Sequence, residues 1–279
     1  MFTLSGFSDE IDKDIHLQFE GIKALGMEYF EVRGVNGKNI AKLNEDELAE
    51  LKDEMKKYGI KASSIGSPIG KVLITDDFEP HLEKFKWIVN IAKTLESKYI
   101  RIFSFFLPEG EEWSAHRREV IRRLSQMVEY AKEQEVILLH ENEKDIYGET
   151  AEACLELLEE INSPNLKAVF DPANFVQCGE NVKEAFAKLR PHIAYMHIKD
   201  AMEDGTVVPA GCGIGEVEFI LRELKESNYH GYLSLEPHLG AFEGLQELEL
   251  SDKMMKLRQS SKESFEIAYN ALAEILERI

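Results

Sequence analysis

Four side chains suited to metal binding or proton transfer follow four short apolar runs in the second half of the chain. They are Glu141 in V-I-L-L-H-E-N-E, Asp171 in L-K-A-V-F-D-P-A-N, His197 in I-A-Y-M-H-I-K-D and Glu236 in Y-L-S-L-E-P-H. Three carboxylates and one imidazole form a hard, oxygen-rich ligand set that suits a divalent metal ion. If the four runs are neighbouring parallel strands, all four side chains point into one space.

Each of these residues has a simpler interpretation when it is taken alone. An acidic side chain at a strand end often caps the next helix or loop, and a histidine after an apolar run is often a hydrogen-bonded core residue. Capping does not require four such residues to follow four consecutive strands. The joint arrangement therefore favours a metal-dependent enzyme over four separate structural roles.

Strand-like and helical patterns alternate along the whole chain, as in repeated βα units. The apolar runs predicted as strands are 2–7, 29–33, 60–65, 99–103, 136–141, 167–171, 193–198 and 232–236. The amphipathic segments predicted as helices are 44–58, 114–134, 150–161, 216–227 and 260–279.

These patterns predict an α/β fold in which residues 1–279 form a single (β/α)₈ TIM barrel with a C-terminal helix. Continuous apolar strands indicate a parallel sheet that is buried on both faces. An open doubly wound sheet usually carries G-x-G-x-x-G after its first strand, and no such motif follows Phe7. The motif G-C-G-I-G (211–215) follows the seventh predicted strand, where it is either a phosphate cradle or a flexible loop.

Composition limits the classes of partner. The chain has 52 acidic and 33 basic residues and a net charge of −19, which argues against binding to nucleic acid or to anionic membranes. Its three cysteines, Cys154, Cys178 and Cys212, form no C-x-x-C pair and indicate reduced thiols in a cytoplasmic protein. The N-terminus shows no signal-peptide pattern, and no apolar run is long enough for a membrane helix.

The sequence resembles the xylose isomerase-like TIM-barrel superfamily, which includes sugar and sugar-phosphate isomerases and epimerases, ketose 3-epimerases, inosose dehydratase and endonuclease IV. The segments that carry this resemblance are H-E-N-E (140–143), F-D-P-A-N (170–174), H-I-K-D (197–200) and S-L-E-P-H (234–238). The resemblance implies that Glu141, Asp171, His197 and Glu236 bind one divalent ion. Mn²⁺ is the first expectation, and Mg²⁺, Co²⁺ and Zn²⁺ are the others.

These residue types suit an isomerase or epimerase of a small sugar, sugar phosphate or polyol. Such an enzyme removes a proton next to a carbonyl, and a divalent cation stabilises the resulting enediolate. The predicted catalytic residues are Glu141, Glu236 and Lys199, and the resemblance to ketose 3-epimerases implies that the two glutamates exchange protons with the substrate. Two alternatives stay open: a dehydratase of the inosose or dehydroshikimate type, and a barrel that binds carbohydrate without turnover.

Four residues are predicted to contact the carbohydrate substrate: Asn174, His238, Arg33 and Ser64. Asn174 stands where ketose 3-epimerases carry a histidine, and Glu203 stands where they carry an arginine, so the chain departs from that group. The extra histidines that endonuclease IV needs for a trinuclear site are also missing, which together with the net charge argues against nuclease activity.

Members of the superfamily often form dimers or tetramers, so a homodimer or homotetramer is expected. The stretch 239–259 is the candidate interface or lid segment.

Overall fold

Eight parallel strands lie at the centre of the computed structural model, which describes residues 2–240 and 261–279. Numbered in chain order, these barrel strands are β1 Thr3–Gly6, β2 Tyr29–Val32, β3 Lys61–Gly66, β4 Tyr99–Ile102, β5 Ile137–Glu141, β6 Leu166–Phe170, β7 Ile193–Ile198 and β8 Tyr232–Leu235. They are hydrogen-bonded in the order β1-β8-β7-β6-β5-β4-β3-β2, and β1 lies beside β2. The nearly closed TIM barrel confirms the predicted fold, with each strand boundary within one residue of the prediction.

Helices cover the outside of the barrel between successive strands. They are α1 Ile15–Ala24, α2 Glu45–Tyr58, α3 Phe78–Thr94, α4 Trp113–Glu133, α5 Ala151–Ile161, α6 Pro172–Gln177, α7 Val182–Leu189, α8 Val217–Glu226 and α9 Lys262–Arg278. The five predicted helices correspond to α2, α4, α5, α8 and α9, although residue 260 lies outside the described residues. None of the helices in the described part of the chain is long and apolar enough to span a membrane.

Local capping interactions explain where helix α2 begins and ends. The Asn44 side chain accepts a hydrogen bond from Glu47 N, and the Glu47 carboxylate accepts one from Asn44 N, which is a capping box. Gly59 ends the helix with a φ of +67°, a left-handed conformation that glycine adopts at little cost. The residues that form these helix caps can be recognised in the sequence.

The barrel interior is a packed core below its C-terminal end. Leu139, Val169 and Tyr195 form an apolar cluster there, as is usual for the interior of a TIM barrel. The Tyr195 hydroxyl lies 2.8 Å from Ser63 Oγ, and Ser63 Oγ lies 2.5 Å from Ser5 Oγ, so the buried hydroxyls satisfy one another. This core closes the interior from below and leaves polar side chains at the C-terminal ends of the strands.

The glycine-rich segment 211–215 folds around the carboxylate of Asp200. Asp200 accepts hydrogen bonds from the backbone N–H groups of Gly211, Gly213 and Gly215 at 2.8 to 3.0 Å. A Cβ at Gly213 would lie 2.3 Å from the Ala201 carbonyl oxygen, which explains the absence of a side chain there. Because the protein's own carboxylate occupies these donors, the segment is neither a phosphate cradle nor a loose loop.

A buried histidine on α3 generates a prediction about stability and pH. His81 Nε2 accepts a hydrogen bond from Gly70 N at 3.0 Å, so the ring is neutral. Burial, followed by repulsion from Lys84 and Arg123, lowers its pKa to about 4 from the usual 6.5. Since the folded-state pKa is depressed, the stabilisation is complete above pH 6.5 and is lost as the pH falls towards 4.

We expect His81→Gln, which keeps an acceptor for Gly70 N but does not titrate, to flatten the pH dependence of folding stability. Between pH 7 and pH 4.5 the wild type should lose roughly 2 kcal/mol more unfolding free energy than this variant. Urea unfolding at the two pH values measures the difference. Equal losses in the two proteins would contradict the assignment of a neutral His81.

Candidate metal centre

The four predicted ligand residues converge at the C-terminal end of the barrel. One oxygen or nitrogen atom from each of Glu141, Asp171, His197 and Glu236 lies within 4.8 Å of the others, and all four side chains are buried. They belong to the neighbouring strands β5, β6, β7 and β8 or to the residue directly after them. Adjacent parallel strands thus bring together residues that are far apart in sequence.

The histidine ring is central to this cluster. His197 Nδ1 lies 3.0 Å from Glu141 Oε1, 3.3 Å from Glu236 Oε2 and 3.9 Å from Asp171 Oδ2. Asp171 Oδ2 is fully buried and is ion-paired with Lys199 Nζ at 3.0 Å, but it accepts no hydrogen bond of good geometry from any described residue. A buried carboxylate oxygen of this kind, directed at other potential ligand atoms, fits a divalent cation held by three carboxylates and Nδ1.

The opposite nitrogen of the same ring contacts a carboxylate that the sequence interpretation missed. His197 Nε2 lies 3.2 Å from Glu31 Oε2, which also accepts a 2.7 Å hydrogen bond from Ser234 Oγ. Burial lowers the pKa of His197, but attraction by Glu141, Glu31 and Glu236 outweighs burial and holds this pKa well above its usual value, so without a metal both ring nitrogens carry protons. A metal ion would replace the proton on Nδ1, which faces the other three residues of the cluster, while Nε2 keeps its proton and donates it to Glu31. Glu31 therefore sets both the tautomer and the orientation of the ligand ring, as carboxylates behind metal-binding histidines commonly do.

Lys199 follows His197 by two residues and reaches the same cluster. Its Nζ lies 3.0 Å from Asp171 Oδ2 and 3.1 Å from Glu236 Oε2. Burial alone lowers the pKa of Lys199, but the attraction of Asp171 and Glu236 outweighs burial and holds this pKa well above its usual value. Lys199 is therefore a buried ammonium group that holds its proton and stabilises the carboxylates.

The pKa values of the three carboxyl groups differ because the charged groups beside them differ. Burial raises the pKa of Asp171 to about 6, against the opposing attraction of Lys199. Burial also acts on Glu141 and Glu236, but nearby cations outweigh it. Attraction by His197 and Arg101 lowers the pKa of Glu141 to about 2, and attraction by Lys199 and His238 holds the pKa of Glu236 well below its usual value. Both glutamates are therefore ionised at neutral pH.

Two of the four predicted substrate residues line the cavity above the cluster. Asn174 Nδ2 donates to Asn142 O at 2.8 Å and to Glu141 Oε1 at 3.3 Å. His238 has a φ of +44°, and its Nε2 lies 3.3 Å from Glu236 Oε1. Both side chains contact a ligand glutamate and also face the cavity, so a substrate contact stays a prediction for each.

The other two predicted substrate residues lie outside the cavity lining. Arg33 donates from Nε to Asp9 at 2.9 Å, from Nη2 to Glu10 at 3.1 Å and from Nη1 to Glu236 at 3.2 Å, so it supports a ligand glutamate. Ser64 is buried beside Glu31 in the β2–β3 ladder, and its Oγ has no hydrogen-bond partner in the described part of the chain. The two strands shift register between Phe30 and Glu31, so that Ser64 rather than Ser63 pairs with Glu31.

A second arginine, which the sequence interpretation also missed, does line the cavity. Arg101 Nη1 donates a 2.7 Å hydrogen bond to Glu141 Oε2, and the side chain is buried. The cavity has room, about 10 Å³, for little more than one water molecule. The residues that line it are Arg101, Phe103, Glu141, Glu143, Asn174, Gln177, Lys199, Glu236 and His238.

Comparison with known proteins places this barrel in a family. The family model for the xylose isomerase-like TIM barrel matches residues 19–259. The chain belongs to the xylose isomerase-like TIM-barrel family. A 3-dehydroshikimate dehydratase of Bacillus anthracis is 26% identical over 179 residues, which cover 63% of this chain and 62% of that relative. The match therefore spans less than two thirds of the dehydratase's own length.

Solved structures of other proteins share the whole fold. A D-allulose 3-epimerase from Methylomonas sp., in complex with D-allulose, has a TM-score of 0.76 and 17% identity over 100% of this chain and 97% of its own. The IOLI protein with a bound zinc atom has a TM-score of 0.76 and 18% identity over 99% of both chains. At these identities the likeness concerns the fold, and the local geometry must carry the argument about function.

The contact between Glu31 and His197 generates a prediction about metal affinity. We expect Glu31→Gln to weaken binding of a divalent metal about 10- to 100-fold, because the amide removes the negative charge that stabilises the Nε2 proton. Competition with a chromogenic chelator, starting from metal-free protein, measures the dissociation constant.

Asp200→Asn is the matched control for this measurement. It removes an equally buried carboxylate, which accepts hydrogen bonds from the backbone N–H groups of Ala201, Gly211, Gly213 and Gly215. Metal affinity should therefore stay within about threefold of wild type by the same reasoning. If Glu31→Gln binds metal as tightly as wild type does, Glu31 has no part in orienting the ligand.

Proposed function

We propose that the protein is a divalent-metal-dependent isomerase or epimerase of a small sugar, sugar phosphate or polyol, which acts by removing a proton from a carbon next to a carbonyl. The observation that carries this proposal is a pair of buried, ionised glutamates beside one imidazole. Glu141 and Glu236 lie 3.0 and 3.3 Å from His197 Nδ1. Each glutamate offers a carboxylate oxygen to the cavity, where a proton can be accepted.

Each of the two glutamates is held by its own cation. Arg101 donates to Glu141 at 2.7 Å, and Arg33 donates to Glu236 at 3.2 Å. These contacts keep the carboxylates free of protons but also make them weak bases, since a low pKa reduces the drive for proton transfer. The C–H bond of the substrate must therefore be made more acidic for either glutamate to remove its proton.

A bound divalent metal ion would supply that acidity, because it polarises the carbonyl oxygen and stabilises the negative charge that develops there. Glu141, Asp171, His197 and Glu236 would hold it. We propose a single ion, with Mn²⁺ as the first expectation and Mg²⁺, Co²⁺ and Zn²⁺ as the others. The zinc atom in the structurally similar IOLI protein supports this proposal, as does the mixed oxygen and nitrogen ligand set.

The chain's own residues divide the remaining tasks. One glutamate accepts the proton, and return of a proton by the other on the opposite face gives an epimer, whereas return at the neighbouring carbon gives an isomer. Lys199 keeps its proton, so it donates a hydrogen bond to a substrate oxygen rather than acting as a base. Asn174 is a neutral donor that positions a hydroxyl group, and the packed core below the site excludes water.

A dehydratase is the second candidate, and one feature of the site favours it. Loss of a β-hydroxyl group needs a base for the C–H proton and an acid for the departing oxygen. Lys199 lies 3.1 Å from the ionised carboxylate of Glu236, so a hydrogen-bond donor for the departing oxygen stands beside a candidate base, which can pass the proton it removes to that oxygen to form water. The similarity to a 3-dehydroshikimate dehydratase also supports the dehydratase candidate.

Incubation of the metal-loaded protein in D₂O distinguishes these reactions. Ketoses, ketose phosphates and cyclic polyhydroxy ketones are the substrates to be screened by mass spectrometry. An isomer carrying solvent deuterium at the reacting carbon identifies an isomerase or epimerase. A product lighter by one water, with ultraviolet absorbance from the new conjugated bond, identifies a dehydratase.

Glu236→Gln should lower the rate of either reaction by about 10²–10⁴-fold, which is the usual contribution of a positioned acid or base. The metal content of this variant is measured in parallel, so that loss of the base is separated from loss of the ion. If the metal-loaded wild type neither exchanges deuterium nor releases water but still binds a carbohydrate, the non-catalytic binding barrel is the correct account.

A further inference from the structure

Part of the hydrogen-bonding capacity of Arg101 is unused within the described part of the chain. Its side chain is 1% exposed and lines the cavity beside Glu141. Nη1 is taken by the 2.7 Å bond to Glu141 Oε2. Nε and Nη2 have no hydrogen-bond partner among residues 2–240 and 261–279. A buried guanidinium with two unpartnered nitrogens is costly, because these charged donors have lost their water and gained no hydrogen bond in return.

Aromatic packing holds this guanidinium in place. Arg101 Cζ lies 4.6 Å from the centre of the Phe103 ring and 5.5 Å from that of Phe7. A second cation, Lys71 Nζ, lies 4.4 Å from the centre of the Phe103 ring and is paired with Glu143 at 3.1 Å. These contacts restrict rotation of the guanidinium group, so the edge formed by Nε and Nη2 is preorganised for a ligand.

Arg33 provides the contrast within the same site. Its Nε, Nη1 and Nη2 all donate to carboxylates, namely those of Asp9, Glu10 and Glu236. Among the residues that the structure describes, one buried arginine thus has three carboxylate partners and the other has a single one, Glu141. A metal ion bound to Glu141 would neutralise part of the negative charge that now compensates Arg101. An anion beside Arg101 would then be more strongly favoured.

We propose that Arg101 recognises an anionic group, a carboxylate or a phosphate, on the substrate. The recognising edge is Nε with Nη2, whose parallel donors match two oxygens of such a group. A neutral hydroxyl group offers one oxygen and no charge, so it would leave the buried guanidinium poorly compensated. This inference rests on the proposed function and narrows its substrates to sugar acids, acidic cyclic polyols or sugar phosphates.

Binding of three cyclic polyols to the zinc-loaded protein, measured by calorimetry, tests the proposal. The probes are myo-inositol, which is neutral, quinate, which carries a carboxylate, and myo-inositol 1-phosphate. We expect at least one anionic probe to bind about tenfold or more tightly than myo-inositol, in keeping with a charged, bidentate contact. The tighter of the two anions identifies the group as carboxylate or phosphate.

Arg101→Lys is the informative variant, because it keeps a positive charge beside Glu141 but lacks the free edge. It should reduce the preference for the anion to about threefold or less. Arg123→Lys, which changes another buried arginine that is absent from the cavity lining, should keep the full preference. Equal affinities of the wild type for neutral and anionic probes, or a preference that survives in Arg101→Lys, would overturn the proposal.

A second measurement decides the matter if none of the three polyols binds. In metal-free protein labelled with ¹⁵N-arginine, the Nε–H resonance that disappears in Arg101→Lys should shift on addition of acetate or inorganic phosphate, but not of acetamide. An unresponsive resonance contradicts the proposal. Because this readout needs neither metal nor turnover, anion binding without deuterium exchange would reject the proposed function and leave the anion site intact.

Discussion

Mutual repulsion among buried carboxylates is the constraint on which the rest of this structure depends. Glu141, Asp171 and Glu236 place oxygen atoms within 4.8 Å of one another and of the His197 ring. Two like charges about 4 Å apart repel by roughly 4 kcal/mol at an effective dielectric constant near 20. The fold offsets this repulsion with His197, Lys199, Arg33 and Arg101 rather than avoiding it. Such an arrangement is expected where a cation is to be bound.

The two halves of the barrel divide this task. Strands β5 to β8 and the residues directly after them supply the four candidate ligands, whereas β2 and β4, in the first half of the chain, supply supporting groups. Arg33, just after β2, reaches Glu236, and Arg101 of β4 reaches Glu141. Glu31, also in β2, holds the far side of the His197 ring. Closure of the barrel brings these partners together, since Glu31 and His197 are 166 residues apart in sequence.

The convergence of the four candidate ligands was predictable because each ends or follows a recognisable apolar run, and strand alternation places each on the inner face. Glu31 lies two residues before Arg33, and Arg101 lies two residues before Phe103. Strand alternation in the sequence therefore indicates that the side chains of Glu31 and Arg101 point inward. It does not indicate which side chain each one meets, because that depends on strands that are remote in sequence. Ser64 illustrates the same limit, since the β2–β3 register shift that pairs it with Glu31 cannot be recognised from the residues.

Loop interpretation from sequence was less successful for a related reason. The glycines at 211–215 suggested a phosphate cradle or a loose loop, yet their N–H groups bind the carboxylate of Asp200. A glycine-rich pattern indicates that backbone N–H groups are accessible to a hydrogen-bond acceptor. It does not indicate which acceptor they bind. The candidate interface or lid segment 239–259 lies largely outside the described residues, so it stays a prediction.

Metal stoichiometry tests the central claim most directly. Protein that has been stripped with a chelator, reloaded with Mn²⁺, Mg²⁺, Co²⁺ or Zn²⁺ and desalted should retain about one ion per chain, as expected for one site with four protein ligands. Protein carrying both Asp171→Asn and Glu236→Gln should retain none while keeping the circular dichroism spectrum of the wild type. Failure of the reloaded wild type to hold any of these ions, or equal retention by the double variant, would contradict a metal centre at the end of this barrel.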